Sequence, residues 1–412
     1  MSFAEPENLC LLASWRAGNE GRVSIERTPK IETMPLRAIC GCVLLAILVA
    51  GLWPFHAPRN EVSWLSGNGL LFGKHGSIIS ASPIEVDGAQ ADRSCSLEIW
   101  LEPHPVHSEG TVLAFYQPAG KVVSFAVRQW RNGLVLEREG DGHSWKGSIY
   151  VADVFRGAKP VFFTISSGQT GTAIYADARL VRKSLDFNLA SQDLSGEFIV
   201  GNSPLTAYNW TGSVKGLAIY DRKLSPIEVS QNYANWTAGW PAAESQSGRT
   251  DTPKSEGVVA RYLFNEGKGN VVHNQIDSAA SLVIPERFFI LHQLFLEPPW
   301  DEFRPGWHYW KNVGINVAGF IPLGFFFQAY FSTIGRLKRA IWLTIALGFA
   351  VSLTIELLQA FLPTRDSGMT DLITNTFGTA LGTMAWVWRP GKTRGSISSA
   401  GDPGQLTTSH LA

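Results

Sequence analysis

The stretch that decides the fold is 340–361, AIWLTIALGFAVSLTIELLQAF, an apolar run that contains Glu356 and Gln359. A run of this length can cross a bilayer as one helix. An ionisable side chain at membrane depth is costly, so a glutamate within a membrane helix is a candidate functional residue by default. The stretch therefore predicts a membrane helix whose polar side chains have a packing or a binding role.

Three other segments, 38–55, 313–331 and 372–388, are similarly apolar. Lys and Arg residues are enriched in cytoplasmic loops, and this bias sets the orientation of the helices. The pattern predicts a four-helix transmembrane bundle in the plasma (inner) membrane, with cytoplasmic tails 1–37 and 389–412. The basic residues that carry this prediction precede the first segment, separate the second from the third, or follow the fourth: Arg22, Arg27, Lys30, Arg37, Arg336, Lys338, Arg339, Arg389, Lys392 and Arg394.

The first apolar segment has an alternative interpretation. A charged region followed by an apolar run is also typical of a cleaved signal peptide. Phe55-His56-Ala57 is a poor cleavage site, which favours a retained helix with Trp53 as its interfacial anchor. Met34 directly precedes Pro35-Leu36-Arg37, so translation starting at Met34 is a further hypothesis.

The predicted topology places six polar residues at one depth near the outer face of the bundle. Ser352, Glu356 and Gln359 share one helical face by their spacing of four and three. Gly378 and Gly382 form a small-residue stripe that permits close helix pairing, including pairing between copies of the chain. The alternative is that the polar residues only hold the helices together. The six residues are Asn316, Glu356, Gln359, Arg365, Asp371 and Asn375.

The long region 58–285 predicts an all-β sandwich of the jelly-roll kind. Short runs of alternating polarity are separated by Gly, Asn, Asp and Ser, as in a sandwich of antiparallel sheets. Aromatic side chains in such a domain either stack on sugar rings or pack within the core. The candidates for stacking on a glycan are Trp130, Trp145, Tyr208 and Trp210.

Several observations bear on catalysis, metals and partners. Glycosidases need two carboxylates beside the scissile bond, and those of this fold usually carry an E-x-D-x-x-E string, which does not occur here. Glu98 and Glu102 are expected to be solvent-exposed. His104 and His107 lack a third ligand, so no metal and no cofactor is predicted. The net charge of zero gives no indication of a nucleic-acid partner.

Residues 286–310 connect the β region to the membrane segments 311–388. Apolar residues from Phe288 to Phe295 recur at helical spacing, and Trp300, Trp307 and Trp310 follow. The pattern predicts an amphipathic segment on the outer membrane surface with an aromatic belt. A loop packed on the β domain is the alternative.

The membrane segments resemble VanZ-like membrane proteins. Asn316-Val-Ala-Gly-Phe-Ile-Pro322-Leu-Gly324 is similar to the second-helix motif of that family, and 352–359 to its third helix. Arg365, Asp371, Asn375 and Gly378 match its outer loop and fourth helix, and 52–55 resembles the end of its first helix. The resemblance implies a multi-pass membrane protein and a link to teicoplanin-type glycopeptide resistance, but no settled reaction.

The β region resembles LamG domains of the concanavalin A-like lectin/glucanase group. The motifs occur in family order: Asn68–Gly73, Ser96–Pro103, Phe198–Gly201, Trp210–Tyr220 and the short closing helix at Arg222–Glu228. Ser225 followed by Glu228 predicts a capping box at the start of that helix. The resemblance implies a glycan or cell-wall polymer as partner, held on the outer side of the membrane.

Three functions follow from these patterns. The first is an envelope protein that binds a glycan or cell-wall polymer through its β domain and a polar or phosphorylated headgroup through Arg365 and its neighbours. The second is a membrane enzyme acting on a lipid-linked substrate with Glu356 as acid or base. The third is a structural bundle without a ligand. Membrane lipids are expected partners in each case.

Overall fold

The computed structural model describes residues 33–86, 93–140, 144–157, 159–239, 257–277, 280–303 and 305–389. Most of the two predicted cytoplasmic tails lies outside these ranges, together with Cys10 and half of the flanking basic residues: Arg22, Arg27, Lys30, Lys392 and Arg394. The described chain consists of a β-sandwich, four long helices packed together, and a segment that connects the sandwich to the second of those helices.

The β domain consists of two antiparallel sheets with eight strands each. In the first sheet, the order is β1 (Val62–Trp64), β2 (Leu70–Phe72), β13 (Gly212–Tyr220), β4 (Cys95–Pro103), β9 (Val161–Gly168), β10 (Gly171–Ala176) and β11 (Arg179–Ser184), and β14 (Val258–Tyr262) also pairs with β13. In the second, it is β15 (Val271–Val272), β16 (Leu282–Val283), β3 (Ile78–Ser80), β12 (Glu197–Val200), β5 (Ser108–Gln117), β6 (Val122–Arg131), β7 (Gly133–Gly140) and β8 (Trp145–Val151). The predicted all-β sandwich is confirmed.

The alternation along the strands explains the core between the sheets. Leu97, Ile99 and Leu101 of β4 point inward and are fully buried. Successive strand residues face opposite sides of a sheet, so the residues between them face outward. The domain thus has one continuous core, and its second sheet presents an outer face formed by β5, β6 and β7.

Glu98 lies on the outward face of β4, yet it is 0% exposed. Helix α2 (Pro226–Thr237) covers it, and its carboxylate accepts hydrogen bonds from the Tyr220 hydroxyl (2.7 Å), Asn232 Nδ2 (2.9 Å) and Trp236 Nε1 (3.2 Å). Burial raises the pKa of Glu98, and these donors oppose the rise. The expected solvent exposure of Glu98 is therefore wrong, because a helix from a distant part of the chain covers the strand.

Helix α2 begins as the sequence predicts. The Ser225 hydroxyl accepts from the Glu228 amide at 3.4 Å, and the Ser225 amide donates to Glu228 Oε2 at 2.8 Å. This capping box satisfies two amides that have no partner within the helix. It fixes the start of α2, from which Asn232 and Trp236 reach Glu98.

We expect Glu98→Ala to destabilise the β domain by about 2–4 kcal/mol, because three buried donors lose their acceptor. Chemical unfolding of the full chain in detergent measures the loss. Glu102→Ala, on the same strand but half-buried, is the matched control and should cost less than about 1 kcal/mol. Equal effects of the two substitutions would contradict the role of the Glu98 network.

The helical part contains α1 (Thr33–Leu52), the single-turn α3 (Pro299–Glu302), α4 (Trp307–Ile334), α5 (Leu337–Gln359) and α6 (Met369–Trp388). Helix α1 ends two residues before Pro54, which disfavours helical geometry in the residue ahead of it. Among the described residues, three helices are long and apolar enough to cross a membrane: α1 over Pro35–Leu52, α4 and α5. The four predicted helices are present, and three of them are candidate spans.

Helix α6 is not one of these three candidate spans, and its composition explains why. Its polar side chains face the inside of the bundle, where Asn375, Thr379 and Thr383 are buried. Its exposed face is apolar and includes Ile373 and Phe377. Polar residues turned inward and apolar residues turned outward are typical of a helix surrounded by lipid.

Glycine allows helices α4 and α6 to approach each other closely. A Cβ on Gly378 would lie 2.2 Å from the Val317 carbonyl oxygen, and one on Gly382 would lie 2.0 Å from that of Ile321. The predicted small-residue stripe is therefore occupied within the chain, and it is not available for pairing between copies.

We expect Gly378→Ala to destabilise the bundle by about 1–3 kcal/mol, because the added methyl group collides with the α4 backbone. Gly319→Ala is the control, since a Cβ at this position of α4 meets nothing within 4 Å. Thermal unfolding of the detergent-solubilised chain compares the two. If both proteins melted at the wild-type temperature, the close approach of α4 and α6 would be contradicted.

The connecting segment contains little helix. Residues 286–298 have no helix, and only the single-turn α3 precedes α4. Phe288 is buried, and Leu291 and Leu294 pack against the outer face of the second sheet. These apolar residues pack on the β domain, as in the alternative that the sequence left open, and an interfacial position of the segment stays a prediction. Trp300, Trp307 and Trp310 remain exposed.

Candidate functional site

The connecting segment, residues 286–298, binds the link between α5 and α6 through its backbone. The Glu297 amide donates to the Ser367 carbonyl at 3.0 Å, and the Met369 amide donates to the Glu297 carbonyl at 2.9 Å. The Gln293 side chain donates to the carbonyls of Leu362 (3.0 Å) and Arg365. The segment is thus attached to the ends of the membrane helices.

The same segment is attached to the β domain one residue away from Gln293. His292 Nε2 lies 2.8 Å from Glu197 Oε2, and the His292 ring stacks on Tyr116 with 4.3 Å between the ring centroids. Leu291 and Leu294 add apolar contacts to the second sheet. These contacts hold the outer face of that sheet over the link that joins α5 to α6.

A cavity of about 650 Å³ lies between the second sheet and the ends of the helices. Its volume is in the range of small-molecule sites. The wall from the β domain includes Arg128, Trp130, Glu137, Trp145, Ser203 and Tyr208. The wall from the helical part includes Glu297, Glu302, Tyr309, Asp366, Thr370 and Asp371.

The β-domain wall presents three aromatic side chains. Trp130 is 41% exposed, and Trp145 and Tyr208 are half-buried. The Arg128 guanidinium lies 4.3 Å from the centroid of the Tyr208 ring. Its Nη1 also contacts both carboxylate oxygens of Glu137, at 2.7 and 3.0 Å. These contacts position Tyr208 beside the cavity and neutralise the guanidinium.

The helical wall presents carboxylates. Glu302 Oε2 accepts from the Thr370 amide at 3.1 Å, and Asp371 Oδ1 accepts from Asn316 Nδ2 at 2.6 Å. Burial raises the pKa of Glu302, its bonds with Thr370 lower it, and the charges of Asp371 and Glu297 raise it further. The wall is therefore rich in hydrogen-bond acceptors and in negative charge.

The six predicted membrane residues lie in three places: at the cavity, inside the bundle and at the end of α1. Asp371 lines the cavity, and Asn316 holds it in place. Glu356 is buried behind the cavity, where its Oε2 accepts from the Gly368 amide at 2.9 Å. Asn375 Nδ2 donates to the Ser352 hydroxyl at 3.0 Å within the bundle.

The two remaining residues of that set hold the end of α1. Gln359 Nε2 donates to the Gly51 carbonyl at 2.8 Å, and Arg365 Nε donates to the Trp53 carbonyl at 3.0 Å. The guanidinium of Arg365 thus contacts backbone, and it is not part of the cavity lining. This arrangement does not favour the predicted use of Arg365 as a fork for a phosphate group.

Three of the four predicted stacking residues meet at the cavity, and one does not. Trp210 is 0% exposed and donates from Nε1 to Gln129 Oε1 at 2.7 Å within the sandwich core. Trp210 thus packs in the core, which is the alternative that the sequence left open for these aromatic residues.

Most lining residues are absent from the sequence-based predictions, among them Arg128, Glu137, Glu302 and Thr370. Arg128 and Trp130 are two residues apart on β6, so their side chains face the same side of the sheet. A position of Trp130 on the outer face therefore also implies that of Arg128. Glu302 lies two residues after Trp300 in α3, but nothing in the local sequence indicates that it reaches Thr370. Its position depends on the long-range pairing of Glu297 with Ser367.

The fold and the site define a membrane protein with a β-sandwich docked over one end of its helices. Residues 259–389 match the family described as VanZ/LLP1, so the part of the chain that contains α4, α5 and α6 is VanZ-like. The match begins in β14 and does not include α1. No curated protein matches the sequence.

Several solved structures are similar to part of the chain. One is a Bacteroides ovatus protein proposed to bind carbohydrate, with 11% identity, a TM-score of 0.34, and coverage of 55% of this chain and 58% of that one. Another is the ligand-binding domain of botulinum neurotoxin serotype D in complex with N-acetylneuraminic acid, with 16% identity, a TM-score of 0.31, and coverage of 44% and 46%. The chain thus spans about half the length of these structures, and we draw no function from them.

Proposed function

We propose that the protein is an envelope membrane protein that binds a glycan or cell-wall polymer in the cavity between its β-sandwich and its membrane helices. The observation that carries this proposal is the cavity itself, which joins the aromatic wall of Trp130, Trp145 and Tyr208 to the carboxylate wall of Glu302 and Asp371.

The two walls suit a saccharide for different physical reasons. Aromatic rings offer a flat apolar surface with which the C–H face of a sugar ring can pack. Carboxylates are acceptors only, so they pair with the hydroxyl and amine donors of a sugar. A chain that leaves the cavity would run along the membrane surface. We therefore propose a polymer or a lipid-linked glycan as the ligand.

The alternative of a membrane enzyme with Glu356 as its acid or base is less well supported. The Glu356 carboxylate is committed to the Gly368 amide, and Glu356 is not among the residues that line the cavity. We also propose that the sandwich is a LamG domain, and this assignment depends on the order of its short sequence motifs.

We expect Trp130→Ala and Trp145→Ala each to weaken glycan binding by about tenfold or more, because each removes a stacking surface worth about 1–3 kcal/mol by the scale of buried aromatic contacts. Binding of the purified full chain to a glycan array and to envelope fractions measures the effect. Leu180→Ala, an exposed apolar residue on β11 away from the cavity, is the control.

Trp210→Ala serves as a second control for the same experiment, because it damages the core and reports loss of folding. Wild-type binding by the Trp130→Ala/Trp145→Ala double variant would contradict the proposed site. The link to teicoplanin resistance belongs to the same proposal. Cells that express the wild type should tolerate more teicoplanin than cells that express the double variant.

The proposed topology places the β domain, the connecting segment and the link 360–368 outside the cytoplasm, with α6 as a fourth crossing. The contacts of Arg365 with Trp53 and of Gln293 with Arg365 gather these parts at one end of the bundle. Arg336 lies between α4 and α5, and Lys338 and Arg339 lie in the first turn of α5, at the end expected to be cytoplasmic.

We expect a membrane-impermeant maleimide to label Ile227→Cys in intact cells, and Gly335→Cys only after lysis. Both positions are exposed, and the background variant lacks the four native cysteines. The reverse labelling pattern would contradict the orientation of the chain.

A further inference from the structure

The cavity carries an excess of negative charge. Its ionisable lining consists of one guanidinium and five carboxylates: Arg128, Glu137, Glu297, Glu302, Asp366 and Asp371. Glu137 holds the Arg128 guanidinium in an ion pair of 2.7 Å. The remaining carboxylates lie on the helical wall. Arg365, which lies in the link between α5 and α6, directs its guanidinium to the Trp53 carbonyl. A ligand with a positive charge would therefore be attracted to this wall.

Two buried oxygen atoms of the helical wall accept no hydrogen bond from the described residues. Thr370 is 9% exposed and lines the cavity, and its Oγ1 accepts no hydrogen bond from the described part of the chain. The same holds for Oε1 of Glu302, although Oε2 of that carboxylate accepts from Thr370. An unpaired buried polar atom costs about 1–3 kcal/mol, so a ligand that supplies a donor here binds favourably.

The charges on this wall repel one another. Burial raises the pKa of Glu302, and the nearby carboxylates of Asp371 and Glu297 raise it further. Like charges held together in a partly buried place disfavour ionisation of each member. A cation in the cavity would relieve this repulsion and keep Glu302 ionised.

The geometry favours an ammonium group over a metal ion. Among the described residues, no three His, Cys, Asp or Glu side chains converge closely enough to hold a metal. An ammonium group needs no such convergence, because its three N–H donors can reach acceptors on different sides. The aromatic wall also attracts a positive charge through the faces of its rings.

We propose that the ligand is an amino sugar with a free amine, whose ring packs on Trp130 and Trp145 and whose ammonium group binds Glu302, Thr370 and Asp371. This inference rests on the proposed glycan-binding function and specifies the substrate class of the same site. The three acceptors belong to the helical part, so the amine is recognised next to the membrane and the ring by the β domain.

The test uses the full chain in nanodiscs of phosphatidylcholine and phosphatidylglycerol, because neither of these lipids carries a primary amine. Calorimetric titration compares a β-1,4-linked glucosamine tetramer with its fully N-acetylated counterpart. We expect the free-amine tetramer to bind about tenfold to a hundredfold more tightly, in line with hydrogen bonds to charged groups. The preference should shrink as salt is raised.

Glu302→Gln should reduce the affinity for the free-amine tetramer to that for the N-acetylated one. Asp301→Asn is the matched control, because Asp301 is the exposed neighbour on α3 and does not line the cavity. It should keep the wild-type preference. If Glu302→Gln fails to fold by thermal unfolding, Asp371→Asn provides the same comparison from the other acceptor.

The outcomes separate the inference from the function on which it rests. Equal wild-type affinity for the two tetramers would overturn the amine inference and leave glycan binding in place. A preference that survives both Glu302→Gln and Asp371→Asn would also overturn it. Phosphatidylethanolamine carries a primary amine on its headgroup. Loss of the preference when this lipid is added to the disc would mean that the headgroup occupies the ammonium site, and would overturn the assignment of an amino sugar. Binding of neither tetramer, nor of any array glycan or envelope fraction, would overturn the proposed function as well.

Discussion

The pairing of residues 286–298 with the link between α5 and α6 is the constraint on which the site depends. Glu297 exchanges backbone hydrogen bonds with Ser367 and Met369, and His292, five residues earlier, is fixed to Glu197 and Tyr116 of the second sheet. Neither wall of the cavity is complete without this connection, because the aromatic residues belong to the sandwich and the carboxylates to the helical part. The connection therefore turns two separate surfaces into one cavity.

Polar residues of the helical part have two kinds of role. Inside the bundle they stabilise packing: Asn375 binds Ser352, and Thr344 donates to Gln328 Oε1 at 3.0 Å. Such contacts let helices without a hydrophobic driving force associate in lipid. At the end beneath the β domain, Glu302, Thr370 and Asp371 keep acceptors directed toward the cavity. The hypothesis of a purely structural bundle describes the first group well and leaves the second without a role.

The sequence predicts the individual elements better than their meeting. Helical apolar runs and strand alternation predicted the four helices and the sandwich, because both patterns are local. Glu98 was misjudged because α2 covers it, and the core position of Trp210 was left open because its burial depends on the opposite sheet. The cavity was not predicted as one site for the same reason, although Trp130, Trp145, Tyr208 and Asp371 were each identified. Only the long-range pairing of Glu297 with Ser367 brings them together.

The most direct test of the central claim is hydrogen–deuterium exchange of the full chain in nanodiscs, with and without a saturating bound glycan. The account predicts slower exchange in two places at once, β6–β7 on the sandwich and residues 366–371 on the helical part, with no change on β10–β11. Protection confined to the sandwich, with exchange in 366–371 unchanged, would contradict a site shared by the β domain and the membrane helices.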